Sequence, residues 1–324
     1  MRGVLGLIGV LLLSVLIALA AGSHSTSLPQ LWAVLIGHGD ERLQFILTQV
    51  RVPRIALAIL TGGALGLAGL MLQALLRNPL ASPDVIGVTG GGAVMAVMAL
   101  TLLNSAWSAY IPLLSMLGAG LTTVLLSLLA GPTQLASGRL VLIGIGLAAA
   151  AQAITTLLMV MSSETSSLQA YVWLMGSLYA AEMVDVWGML PWTVLGLVMA
   201  WLMAAHLDVM QLGEMTAQGL GAAVRQCRLG LLLTSAMLAG SAVAYAGGLS
   251  FVGLIAPHIA RRCVRAGFAW QATATVLIGA EMVLLADTIG RVMFLPQDLP
   301  AGIFVAAVGA PCFVYLLYRQ RRTG

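Results

Sequence analysis

The sequence contains no lysine and very little charge of either sign. Charged residues make up 8% of the 324 residues, whereas a soluble domain usually carries about 25%. This scarcity excludes an ordinary water-soluble protein, because most of its surface would lack the charge that keeps such proteins in solution. The absence of lysine also excludes a P-loop ATPase, since that phosphate-binding motif requires a lysine that reaches the phosphates.

The sequence is also poor in cysteine and histidine. Its cysteines, Cys227, Cys263 and Cys312, are far apart and show no CxxC spacing, so no disulfide framework is expected. We expect these thiols to lie near the cytoplasmic side or within helices and to stay reduced. The four histidines are scattered, and their spacing predicts no metal site. The sequence therefore predicts neither a metal nor a cofactor held by this chain.

Long apolar stretches are what the chain has in abundance. Hydrophobic residues make up 60% of it and the mean hydropathy is +1.02. A membrane span needs about 20 apolar residues, and backbone groups in lipid must be satisfied within a helix. The sequence therefore predicts an all-α, polytopic membrane protein with ten transmembrane helices. The predicted spans are 3–22, 55–76, 85–103, 111–131, 140–161, 187–205, 229–247, 249–260, 271–290 and 302–318.

Two of these spans have unusual features. The first resembles a secretory signal peptide, but its apolar core is long, which favours a retained helix. The eighth, 249–260, is short for a span and contains Pro257.

The distribution of arginine predicts the orientation of the chain. With the N-terminus in the cytoplasm, eleven of the 15 basic residues face inward and four face outward, as the positive-inside rule requires. Both termini are then cytoplasmic, and the net charge of +4 reflects topology rather than nucleic-acid binding. The four outward residues are Arg42, Arg51, Arg54 and Arg291.

The second span is rich in small residues and reads Gly62-Gly63-Ala-Leu-Gly66-Leu-Ala-Gly69. Small residues let helix backbones approach closely in a membrane. The pattern is compatible with generic packing or with a helix that crosses the centre of a bundle. Between the fifth and sixth spans, residues 162–186 predict a short helix at the outer interface, anchored by Tyr171, Trp173 and Tyr179.

Two acidic residues fall within the ninth span. Asp287 and Arg291 are four residues apart, which places them on adjacent turns and predicts a structural ion pair. Glu281 lies near the middle of the membrane without an evident partner in sequence, and we interpret it as a protonated or hydrogen-bonded buried group. An ion-coupled carrier would need such residues along its path.

The inner connection between the sixth and seventh spans has a pattern of its own. It contains the apolar residues Leu212, Met215, Ala217 and Leu220, interspersed with glycines at 213, 219 and 221. A short helix that presents Leu and Met to a protein groove would show this pattern, and so would a loop on the membrane surface.

Seven segments of the chain resemble the FecCD (BtuC-like) permeases, the membrane subunits of bacterial ABC importers for ferric siderophores, haem and vitamin B12. They occur in the same order over nearly the whole chain. The segments are Arg51-Val-Pro-Arg54, Arg77-Asn-Pro-Leu-Ala-Ser-Pro-Asp-Val-Ile-Gly87, Leu212-Gly-Glu, Phe251-Val-Gly-Leu-Ile-Ala-Pro-His-Ile-Ala-Arg-Arg262, Ala286-Asp287, Leu299-Pro300 and Gly309-Ala-Pro311.

The resemblance implies a single transmembrane permease domain over residues 1–324 with a cytoplasmic coupling segment over about 207–224. Its implied partners are a second permease subunit, two ATPase subunits that bind ATP and Mg, a periplasmic binding protein and the lipid bilayer. The implied docking residues for the binding protein are Arg51, Arg54 and Arg291. The implied ATPase-coupling residues are Leu212, Gly213, Glu214, Met215, Ala217, Leu220 and Gly221.

The function that follows is ATP-driven import of a ferric siderophore across the inner membrane by alternating access, with no catalytic residue in this chain. The stretches Ser82-Pro-Asp-Val-Ile-Gly87 and Arg139-Leu-Val-Leu-Ile-Gly-Ile-Gly146 resemble the siderophore branch. Import of vitamin B12 or haem, an ion-coupled carrier and a structural or assembly subunit are the alternatives.

Overall fold

The computed structural model describes residues 2–22, 26–103, 109–131, 138–210, 214–219, 221, 223–264, 267–295 and 297–320. These residues form helices joined by turns and irregular links. The helices are α1 (Arg2–Ala20), α2 (Leu28–Leu35), α3 (Glu41–Phe45), α4 (Val52–Leu76), α5 (Val88–Leu102), α6 (Ile111–Ala130), α7 (Gly138–Met161), α8 (Glu164–Leu174), α9 (Met183–Met210), α10 (Glu214–Gly219), α11 (Val224–Ala246), α12 (Val252–Cys263), α13 (Phe268–Val292) and α14 (Ala301–Gln320).

Each predicted span corresponds to one of these helices, namely α1, α4, α5, α6, α7, α9, α11, α12, α13 and α14. Within the described residues, seven helices are long and apolar enough to cross a membrane, and two further apolar helices are shorter. The eighth span is a helix of only 12 residues, α12, which includes Pro257. The all-α membrane fold is thereby confirmed, and each of the ten predicted spans is a helix in the structure.

Helix α4 lies at the centre of the bundle and packs against α9, α11, α12 and α13. Every residue from 61 to 73 is buried. A Cβ atom on Gly62 would lie 2.2 Å from the carbonyl oxygen of Gly279, and one on Gly69 would lie 1.8 Å from that of Gly253. Real Cβ atoms do not approach backbone this closely, so both contacts require glycine. The interpretation of this glycine-rich span as a central helix is therefore the right one.

The outer part of α4 continues an earlier helix through a distortion. Residues from Glu41 to Leu76 form one continuous helical stretch, and its segment Ile46–Arg51 is a π-helix. Pro53 lies just inside α4 and has no N–H to donate to the preceding turn, which is a common cause of such a bulge. The distortion ends at Arg51, and Arg54 follows in the first turn of α4.

The link between α4 and α5 packs against the start of the short helix α12. A Cβ on Gly253 would lie 3.1 Å from Cδ of Pro83, and the Asp84 carboxylate accepts a hydrogen bond from the backbone N–H of Phe251. Phe251 precedes α12 and has a φ of +67°. The Asp84 carboxylate thus supplies an acceptor at the N-terminus of α12, where backbone donors have no partner within the helix.

Helix α1 lies at the periphery against α13. Only 17% of its apolar window is buried. The predicted interfacial helix within 162–186 is α8, where Tyr171 is 52% exposed. Tyr179 follows after the end of α8 and is 68% exposed. We refer below to the end of the bundle where α4 begins and α13 ends as the outer end, and to the opposite end, where α9 ends, as the inner end.

Candidate functional site

Three of the four arginines predicted to face outward come together at the outer end. Arg51 ends the π-helix, Arg54 lies in the first turn of α4, and Arg291 lies in the last turn of α13. They line a pocket of about 400 Å³ together with Gly22, Ile46, Val50, Tyr179, Leu295, Gln297 and Asp298. We call this the outer arginine pocket.

Arg54 is held between two carboxylates. Its Nε donates to both oxygens of Asp287 at 2.8 Å, and its Nη2 lies 2.8 Å from Oδ1 of the same residue. On its other side, Nη1 and Nη2 donate to the two oxygens of Asp298 at 2.6 and 2.8 Å. Paired bonds of this kind between arginine and carboxylate are among the strongest in proteins. The Arg54 side chain is only 4% exposed, which is tolerable for a charge because both partners are anionic.

The closest contacts of Asp287 and Arg291 are with other residues. The partner that Asp287 contacts is Arg54, and Nη2 of Arg291 instead donates to the carbonyl oxygen of Ala18 at 2.6 Å. Helical spacing shows only neighbours on the same helix, so it did not reveal Arg54 as the closer partner, while the charges of Asp287 and Arg291 still act on each other. The guanidinium of Arg54 approaches Asp287 from α4 and satisfies both carboxylate oxygens.

Arg51 and Arg291 both bind the C-terminal end of α1. Nη1 of Arg51 donates to the Leu19 carbonyl oxygen and to Oγ1 of Thr26, the latter at 3.0 Å. With the Arg291 bond to Ala18, two guanidinium groups satisfy carbonyls that lack partners within the helix. Cations are also favoured at a helix C-terminus by its dipole. Sequence reasoning missed this role, since nothing in the sequence places the end of α1 beside α4 and α13.

The cluster retains positive charge despite its internal pairs. Arg51, Arg54 and Arg291 carry three positive charges, and Asp287 and Asp298 carry two negative charges. The outer arginine pocket therefore has one net positive formal charge within a partly enclosed cavity. Such a site attracts anionic groups, and fields in clefts with low-dielectric walls are stronger than on open surfaces.

Glu281 has a partner that sequence did not reveal. Oγ of Ser14 in α1 donates to Oε1 of Glu281 in α13 at 2.5 Å. Oε2 of Glu281 is buried and makes no hydrogen bond to any residue that the structure describes. The interpretation as a hydrogen-bonded buried group agrees with this contact, which joins α1 to the bundle near its middle.

The inner coupling segment is described only in part. Leu212, Gly213 and Leu220 lie outside the described residues, and for Glu214 and Met215 the structure gives the backbone of α10 but not the side chains. Ala217 is fully buried, in a short helix that packs against α9 and α11. In this structure its side chain faces the bundle rather than a partner. Gly221 follows with a φ of +80°, which suits glycine.

Within the described ranges, no cluster of three or more His, Cys, Asp or Glu residues could hold a metal ion. Cys227 is buried, Cys312 is partly buried and Cys263 is exposed, and none of them forms a disulfide. The candidate site in the described residues therefore consists of arginine–carboxylate contacts and of arginine contacts with the C-terminal end of α1.

Comparisons with known proteins agree with the resemblance. The sequence profile of the FecCD transport family matches residues 10–319. The achromobactin transport system permease protein of Dickeya dadantii (strain 3937) is 45% identical over 313 residues, which cover 96% of this chain and 90% of that protein. A probable siderophore transport system permease protein of Bacillus subtilis (strain 168) is 40% identical over 321 residues, covering 96% and 93%.

The fold also matches a solved structure. A protein described as a metal-chelate type ABC transporter in an inward-facing conformation superposes with a TM-score of 0.88 at 30% sequence identity, and the match covers 98% of both chains.

Proposed function

The chain belongs to the FecCD transport family, and we propose from that membership that it is the membrane-spanning permease subunit of a bacterial ABC importer for a ferric siderophore. The observation that carries this proposal is the match over residues 10–319, together with relatives named for achromobactin and siderophore transport. The proposed location is the inner membrane, with both termini in the cytoplasm.

The proposed mechanism is alternating access without covalent chemistry in this chain. A second permease subunit, identical or related, completes the pore, and two cytoplasmic ATPase subunits bind ATP and Mg and hydrolyse the nucleotide. This division of labour is supported by the absence of lysine from the chain, since the phosphate-binding loop of such ATPases requires one. A periplasmic binding protein delivers the substrate to the outer end.

The coupling segment over about 207–224 is proposed to receive the motion of the ATPase. Supporting this proposal, α10 is a separate short helix that follows α9 and packs against α9 and α11. A displacement of α10 would therefore act directly on two long helices. Leu212, Gly213, Glu214, Met215, Leu220 and Gly221 remain the proposed contact residues.

The outer arginine pocket is proposed to receive acidic side chains of the binding protein. Its net positive charge and its guanidinium groups favour carboxylates, which arginine binds with two parallel bonds. Arg51 and Arg291 contact neutral carbonyls of α1, whereas Arg54 contacts two carboxylates. Arg51 and Arg54 are only 2% and 3% exposed, whereas Arg291 is partly exposed. Arg291 is therefore the proposed first contact for an incoming carboxylate, with Arg51 and Arg54 deeper in the pocket.

Charge reversal tests this docking role. Arg51→Glu combined with Arg291→Glu should weaken binding of the transport system's own binding protein by at least about tenfold, because two attractive contacts become repulsive. Arg42→Glu is the matched control, since Arg42 also faces outward but lies on α3, outside the pocket. Binding is measured on the purified importer in nanodiscs. Equal affinity of the double variant and the Arg42 control would refute the role.

Uptake in cells tests the class of transporter. Uptake of radioactive iron as ferric achromobactin should stop when ATP is depleted and persist when the proton gradient is collapsed at constant ATP. The reverse pattern would favour an ion-coupled carrier built on Glu281, whose Oε2 is buried without a partner in the described chain. Uptake of haem or vitamin B12, and not of any ferric siderophore, would favour the other substrate branches.

A further inference from the structure

Asp287 and Asp298 bind the same guanidinium but lie in very different settings. Asp287 lies within α13 and its side chain is 2% exposed. Asp298 lies in the irregular link between α13 and α14, and its side chain is 19% exposed. Displacing Asp287 would require the movement of a packed helix, whereas displacing Asp298 requires only a change in the link.

The guanidinium of Arg54 has no free edge for another carboxylate. Its Nε edge is taken by Asp287, and its two terminal nitrogens are taken by Asp298. An arriving carboxylate can bind Arg54 with two bonds only if one of these two aspartates leaves. Asp298 is more exposed than Asp287 and lies outside a helix. The free-energy cost of releasing Arg54 is therefore lower for Asp298.

The surroundings of Asp298 suit such an exchange. Asp298 lines the outer arginine pocket, which also contains Arg51 and Arg291. The positive charge of these guanidinium groups would attract an incoming carboxylate into the pocket that Arg54 also lines. The carboxylate of Asp298, once displaced, is close to the outer surface, where water can solvate it.

We propose that Asp298 is an internal competitor for the docking carboxylate. Before docking, Asp298 occupies Arg54; on docking, an acidic side chain of the binding protein replaces it, and Asp298 is released. This inference rests on the proposed docking function. It makes docking an exchange of one ion pair for another, which keeps the complex reversible.

The exchange also has a structural consequence. Asp298 precedes α14 by three residues, and Gly302 at the start of α14 donates its backbone N–H to Gly176 at 3.0 Å. Release of Asp298 would remove one of the contacts that hold the link leading into α14, while the Leu299 N–H still donates to the Gly290 carbonyl oxygen at 3.4 Å and α14 keeps its contact with the region after α8. Occupancy of the outer end would thus be communicated to the start of a transmembrane helix.

The test is the variant Asp298→Asn, with Asp40→Asn as the matched control. Both remove one outward carboxylate, but Asp40 is exposed and lies outside the pocket. Asp298→Asn should tighten docking of the binding protein about tenfold, since one charge-assisted contact no longer has to be broken. Docking should also weaken more steeply with salt than in the wild type, because one additional ion pair is formed. Asp40→Asn should change neither quantity appreciably.

A second set of variants shows whether the tighter docking of Asp298→Asn depends on Arg54. In a chain that carries Arg54→Gln together with Asp287→Asn, Asp298 no longer has the guanidinium that it contacts. Adding Asp298→Asn there should tighten docking much less than in the wild type, because no ion pair with Arg54 has to be broken. A purely structural role for Asp298 predicts that Asp298→Asn lowers the unfolding temperature and leaves docking unchanged or weaker. That result would overturn the proposal. So would a tightening of docking by Asp298→Asn that is equally large in the chain without Arg54. Failure of the wild-type importer to bind its binding protein would instead refute the docking function itself.

Discussion

Helices α1 and α4 are both strongly apolar, yet they occupy opposite environments. The most apolar part of α1 has a mean hydropathy of 2.8 and is 17% buried, whereas that of the continuous helix Glu41–Leu76, which includes α4, has a mean hydropathy of 2.1 and is 83% buried. The more apolar helix is therefore the one at the periphery. In a bilayer, apolar side chains gain nothing by leaving the lipid, so packing of small residues and polar contacts decides which helix is central.

The two helices also differ in how polar groups hold them. Arg54 at the start of α4 binds two carboxylates from the α13 region. The body of α1 is joined to α13 through Ser14 and Glu281, and its C-terminal carbonyls accept from Arg51 and Arg291. We therefore expect substitutions in α4 to affect the whole bundle and substitutions in α1 to affect mainly the attachment of one helix.

The largest effect is expected at the ionic contact of α4. Arg54→Gln should destabilise the folded protein by about 3–5 kcal/mol, because it leaves the buried Asp287 without its cation. Thermal unfolding of the purified protein in one detergent measures the effect. Adding Asp287→Asn should restore much of the loss. If Arg54→Gln alone were as stable as the wild type, the ion pair between Arg54 and Asp287 would not hold α4 in place.

The next effect concerns the backbone contact of α4. Gly69→Ala should destabilise the protein by about 3 kcal/mol, since the new Cβ would lie 1.8 Å from the Gly253 carbonyl oxygen and two packed backbones would have to separate. The same substitution in α1, Gly9→Ala, is the control, because no atom lies within 4 Å of a Cβ there. Its expected effect is neutral or slightly stabilising. Equal effects of the two substitutions would contradict the assignment of central and peripheral helices.

The smallest effect is expected within α1. Ser14→Ala should lower the stability of the α1 attachment by about 1 kcal/mol, through loss of one hydrogen bond to Glu281. Thr156→Ala is a suitable control, because Oγ1 of Thr156 bonds only to Gln152 on its own helix. Limited proteolysis of the segment after α1, compared between the two variants, measures the attachment. Identical cleavage rates would show that Ser14 does not anchor α1.

The comparison also shows which features could be predicted from the sequence. The ten spans were predictable because each needs a long apolar run, whereas the glycines of α4 were compatible with either generic packing or a central position. The partner of Asp287 was not predictable, since Arg54 lies 233 residues away in sequence and only the fold brings them together. Asp298 carried no periodic signal at all, because it lies in an irregular link.

The arginines show a related limit of sequence reasoning. Topology rules assigned four of them to the outer side, and the structure brings Arg51, Arg54 and Arg291 together in one pocket that does not include Arg42. Topology rules could not show that Arg51 and Arg291 would bind the end of α1. Every helix C-terminus has carbonyl groups without a partner in the helix, so the sequence does not indicate which terminus an arginine will contact. The neighbours of each terminus are decided by packing.

The central claim is that this chain is a conduit driven by a separate ATPase, and reconstitution into vesicles tests it most directly. Vesicles containing the permease, its ATPase and its binding protein should accumulate radioactive iron, offered as a panel of ferric siderophores, only when ATP is present on the ATPase side. Vesicles with the permease alone should show no accumulation against a gradient. Concentrative uptake by the permease alone, driven by a proton or sodium gradient, would contradict the account.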